Sequence, residues 1–141
     1  MAVAFRPGER VGWLRCTRSI RVTGVAVADS GGRVAASLRV RCERWSGRSK
    51  ISVDGNNLTP RNGSFSARVQ AAGGTSASAT KSAVGDEAEF DFDSSPNDIA
   101  AGAAPISADF IAAHSGPDVI GEILDSQGLV IASQGAECTF R

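Results

Sequence analysis

Apolar and polar residues exchange places at every second position over most of this chain, and each such run is closed by residues that favour turns. On an extended backbone that period sends successive side chains to opposite faces, so one face is buried while the other meets water. The clearest run puts Val34, Ala36, Leu38, Val40 and Cys42 on one side and Arg33, Ser37, Arg39, Arg41 and Glu43 on the other. Ser46 and Gly47 then read as a turn. Ile51 and Val53 point inward in the next run, which Gly55, Asn56 and Asn57 close. Phe65, Ala67, Val69 and Ala71 make another inward row, opposite Ser64, Ser66, Arg68 and Gln70. Beyond Asp86, Ala88, Phe90 and Phe92 alternate with the carboxylates of Glu87, Glu89, Asp91 and Asp93. A period of 3.6, the mark of an amphipathic helix, is hard to find.

Residues 71–83 are mostly Ala, Gly, Ser and Thr, which pack weakly, so a loop or a poorly buried edge strand is expected there. Residues 94–98 are expected as a turn around Pro96. Ile106 and Phe110 should return to the core, with residues 109–113 open between a loop and one helical turn. Residues 119–124 and 129–132 read as a hairpin, and Cys138 with Phe140 as a last short strand. Upstream, residues 14–22 and 25–28 add one or two strands. The total of about eight or nine strands predicts an all-β fold: an antiparallel two-sheet β-sandwich of immunoglobulin-like topology. It is expected as a single domain over residues 1–141, with residues 1–12 as an extended arm. A hydrophobic fraction of 42% against 21% charge fits a packed core. The longest uncharged apolar stretch, residues 99–108, is far short of a membrane span and is broken by Gly102 and Pro105. Residues 1–16 carry Arg6, Glu9, Arg10 and Arg15 without a long apolar run, so no signal peptide is expected.

Three cysteines, Cys16, Cys42 and Cys138, show no CxxC spacing, which excludes the usual zinc arrangements. Cys42 and Cys138 each hold an inward position of an expected strand and form the expected disulfide. Cys16 stays unassigned.

Charge is sorted along the chain although the total is zero. Through Arg68 there are thirteen basic residues against four acidic ones, and beyond it two against eleven, so the halves carry +9 and −9. Each half alone would repel itself, so the halves must pair within one fold or between molecules. Arg33, Arg39 and Arg41 share a strand face, and Glu87, Glu89 and Asp91 share another. If their strands lie side by side, the pairing is internal; if they lie on opposite ends or faces, it favours head-to-tail association.

Chemistry is sparse by comparison. His114 is the only histidine, and no nucleophile elbow accompanies it, so no catalytic residue is assigned and no enzyme is expected. The one ion the acidic segment would suit is calcium, with Asp91, Asp93, Asn97 and Asp98 as oxygen ligands from a strand end and the loop after it. An EF-hand register fails there, because Pro96 falls where glycine is required. No other cofactor is called for. Nucleic acid is disfavoured by the acidic second half, and sugar binding has only Trp13 and Trp45 to stack on. The expectation is a non-enzymatic structural or adhesive module, secreted or displayed on a surface, whose partner is a protein: a homo-oligomer or a surface assembly. The alternative is a calcium- or carbohydrate-binding module.

Overall fold

Residues 35–112 and 117–141, which the computed structural model describes, form two five-stranded sheets and one short helix. The strands are β1 (Ser37–Trp45), β2 (Arg48–Asn56), β3 (Ser64–Ala71), β4 (Gly74–Ala77), β5 (Lys81–Ser82), β6 (Ala88–Asp93), β7 (Ala104–Pro105), β8 (Val119–Leu124), β9 (Val130–Ala136) and β10 (Thr139–Phe140). Helix α1 (Pro96–Ala100) follows β6. The first sheet runs β10-β1-β2-β6-β7, and the second runs β9-β8-β3-β4 with β5 also paired to β3.

Alternation makes the core. Leu38, Val40 and Cys42 of β1, Ile51 and Val53 of β2, and Phe90 and Phe92 of β6 are buried from the first sheet. Phe65, Ala67, Val69, Val119, Ile123 and Ala132 face them from the second, and Leu58, Ile106, Phe110 and Ile111 enter from loops. The sheets approach closely at Gly121 of β8, where an added Cβ would lie 2.6 Å from a methyl of Val40. Any side chain there would have to displace the Val40 side chain. The β1–β2 turn places Gly47 at φ +80°, where a side chain is strained.

Several expectations need correction. Ten strands occur among the described residues alone, four of them two to four residues long, and the pairing is not wholly antiparallel. β10 runs parallel to β1 and β7 parallel to β6. The chain leaves β9 in the second sheet and crosses to the first before β10, so the crossover fixes its direction in place of a hairpin. The expected turn at residues 94–98 is largely helical, with Pro96 in the first turn, where its fixed φ and missing N–H cost nothing. At residues 109–111, open on sequence between a loop and a helical turn, the chain forms a turn and bend. The upstream strands at residues 14–28 and the arm at 1–12 lie outside the described residues.

The disulfide joins Cys42 to Cys138 as expected. It ties β1 to the residue just before β10, its neighbour in the same sheet. Nearby, the Val40 N–H donates to Oε1 of Gln134 on β9 at 2.9 Å, linking β1 of the first sheet to the edge strand of the second. No helix among the described residues is long and apolar enough to cross a membrane.

Candidate interaction surface

On the outer face of the first sheet, β2 separates the arginines of β1 from the carboxylates of β6. Arg39 is opposite Asp54, which is opposite Glu89; Arg41 is opposite Ser52, which is opposite Asp91. Arg41 reaches diagonally to Asp54 at 2.9 Å and to Glu89 at 3.8 Å. The Ser52 hydroxyl donates to Asp91 at 3.0 Å. Part of the sorted charge is therefore paired inside the chain, across three strands. Arg39 and Glu87 make no ion pair with another described residue. They line a hollow of about 340 Å³ with Asp54, Asn56 and Glu89, and Oδ1 of Asp54 is buried beside it without a hydrogen-bond partner among the described residues. Arg33 lies outside the described residues.

Three of the four expected calcium ligands are engaged by other side chains. Asp93, expected on the solvated row of β6, is only 1% exposed. Arg48 grips it with both arms of its guanidinium, at 3.0 and 2.7 Å, and also holds Asp98 at 2.6 Å. The Ser95 N–H donates to Asp93 as well. Burial alone would raise the Asp93 pKa, but the hydrogen bond from Arg48, the Ser95 N–H, and the charges of Arg48 and Lys50 outweigh it, holding the carboxyl below the ordinary range. The hydrogen bond to Asp93 in turn raises the pKa of Arg48. Asp91 is turned to Ser52, and Asn97 is exposed on α1. No group of three acidic, histidine or cysteine side chains suited to a metal occurs among the described residues. Here the cation between the carboxylates is a guanidinium.

Trp45 is flanked by cations. The guanidinium carbons of Arg48 and Arg141 lie 5.1 and 5.8 Å from its ring centre, a favourable position over a π face. Arg141 also pairs with Glu43 at 2.8 Å, and its N–H donates to the Arg44 carbonyl. Arg44 donates to the carbonyls of Trp45 and Ile111. Trp45, one of the two tryptophans of the sugar-binding alternative, is therefore in contact with two arginines. Trp13 and His114 lie outside the described residues.

A groove of about 690 Å³ runs along the side of β6 away from β2, between that strand, residues 77–81 and residues 101–105, which include β7. Glu89, Asp91, Asp93 and Asp98 line it with Lys50 and Lys81. Nζ of Lys81 donates to the Glu89 carbonyl at 2.7 Å and lies 5.5 Å from the Phe90 ring centre, so this lysine covers part of the strand's side.

Sequence reasoning missed two buried polar groups. Ser49 lies on the inward row of β2, where its hydroxyl donates to the Ala108 carbonyl and accepts the Ile111 N–H, fastening the loop that carries Phe110. Asp118 accepts the Cys138 N–H at 2.8 Å and so braces the disulfide segment. The inward parity of Ser49 was the signal available for it; Asp118 had none.

No protein-family model matches the chain, and no curated protein sequence matches it.

Proposed function

We propose that this chain is a non-enzymatic structural or adhesive β-sandwich module of immunoglobulin-like topology that acts by protein contact, with itself or with a partner. The observation that carries the reading is the ordered outer face of the first sheet. It passes from arginines on β1 to carboxylates on β6 across about 10 Å, two strand spacings. A second copy turned by a two-fold axis would lay its arginines on these carboxylates and the reverse, the self-complementary contact of an isologous dimer. The immunoglobulin-like topology is supported by the path of the chain: β1 and β2 in the first sheet, β3 to β5 in the second, β6 and β7 in the first, then β8 and β9 in the second. An extracellular or surface location is supported by the disulfide, since such bonds persist in oxidising compartments.

Sedimentation at low and high salt tests the contact. Association at low salt should weaken as salt shortens the Debye length, and Arg39→Glu should weaken it further. A chain that stays monomeric at high concentration in low salt, with no protein captured through this face, would end the proposal.

A further inference from the structure

We propose that β9 is a pairing edge for a second copy of this chain, joined antiparallel about a two-fold axis at Ser133. β9 is the last strand of the second sheet, with β8 on one side and no described strand on the other. Its main chain decides what can fill that side. The Asp118 N–H donates to the Ala136 carbonyl, so Ala136, Gln134 and Ala132 turn their main-chain groups toward β8. On an alternating backbone, Ser133 and Gly135 then turn theirs away. Gln134 reaches the Val40 N–H with its side chain and uses none of that outward main chain.

The other sheet edges are shielded, and β9 is not. The first sheet ends in β10, two residues followed by Arg141, and in β7, two residues that include Pro105. At the far side of the second sheet, β4 has four residues and is tied to the Pro105 carbonyl by the Ser76 hydroxyl, while β5 carries Lys81. Short strands, charges and proline are the usual means by which a sheet edge refuses a neighbour. β9 has seven residues, no charge and no proline. Its one irregularity, opposite Ile123 and Leu124, leaves residues 132–136 in regular register.

A strand edge presents alternating main-chain donors and acceptors, which another strand matches group for group. Symmetry then selects the strand. A two-fold axis at Ser133 sets β9 against itself, and the two serines exchange both main-chain bonds across the axis. With no charge on the strand, nothing in this pairing repels; β6 set against itself would bring Glu89 and Asp91 among like charges. Ile120, 40% exposed, stands opposite Gly135 on the outer face, and an added strand would cover it from the side where Gly135 offers no side chain. This contact is separate from the charged face proposed above and does not rest on it.

Sedimentation in high salt tests it, because the charged face contributes least there. The wild-type chain should dimerise under these conditions. Ser133→Pro removes an outward N–H and no bond to β8, and should raise the dissociation constant by roughly tenfold or more. An unchanged melting temperature at low concentration shows that the body is intact. Ser133→Cys is the second variant. Bonded antiparallel partners lie about 5.5 Å apart at Cα, within reach of a disulfide, so mild oxidation should give a covalent dimer well above the wild-type level. A wild-type chain that stays monomeric at high concentration in high salt, equal association of Ser133→Pro, or no added cross-link overturns the proposal. Slow hydrogen exchange of the Ser133 amide in the dilute monomer overturns it as well, in favour of a segment of the same chain.

Discussion

The outer faces of the two sheets differ although the same alternation builds both. On the first, ion pairs cross the strands: Arg41 with Asp54, Arg48 with Asp93 and Asp98, and Arg141 with Glu43. On the second, one pair stands out, Arg68 with Glu122 at 2.6 Å on directly opposed positions, and the Glu122 hydrogen bond raises the Arg68 pKa. Ile120 near the start of β8 and Leu129 and Val130 near the β8–β9 turn are exposed, and β9 carries no charged residue. Alternation decides which side chains are buried. What fills the outward positions decides whether a sheet is tied together by its surface as well as by its core.

That contrast is broken most severely by removing the disulfide, which belongs to the first sheet alone. Cys42→Ser with Cys138→Ser should cost about 4 kcal/mol, because the bond closes a long loop, read as a lower midpoint in urea unfolding. Next comes Asp93→Asn, expected to cost about 2–3 kcal/mol at pH 7 by weakening a buried charge-assisted clamp. The Asp93 carboxyl is held low in the folded state. Its contribution is therefore present above the unfolded value of about 4 and is lost as pH falls through the folded value. Stability curves of wild type and Asp93→Asn should converge in acid; a constant gap down to pH 2 would show that the clamp is not ionic. On the second sheet, Glu122→Gln should cost less than about 1 kcal/mol, since the Arg68 partner is partly solvated. A cost as large as that of Asp93→Asn would erase the contrast. The smallest effect is that of calcium. With Arg48 between Asp93 and Asp98, millimolar calcium should leave the melting temperature unchanged, whereas a rise would mean a site that binds the folded state.

Parity was legible before any coordinates. Leu38, Val40, Cys42, Ile51, Val53, Phe65, Ala67, Val69, Ala88, Phe90 and Phe92 are buried as read, Ala36 and Ala71 partly so, and Cys42 and Cys138 meet because both lie on inward positions. Coverage of the outer face was not legible. Asp93 keeps the parity of Glu89 and Asp91, yet Arg48 from β2 and the Ser95 backbone close over it, and neither is near it in the β6 pattern. Strand order was equally hidden. Charge sorting foretold that arginines and carboxylates would seek one another, but only the order β1-β2-β6 shows Asp54 standing between them. A five-residue helix is too short to express a 3.6 period, so α1 read as the turn that Pro96 suggested. The parallel entry of β10 followed from a crossover between sheets, which no local signal records.

The bond between Cys42 and Cys138 encloses almost the whole described body, with a sequence separation of 96. Tension applied to the chain on either side would pass from one sulfur to the other and bypass the strands between them. Up to about 330 Å of contour length stays out of the stretch, and an optical-trap pull on the oxidised chain would lack that extension until a reductant released it.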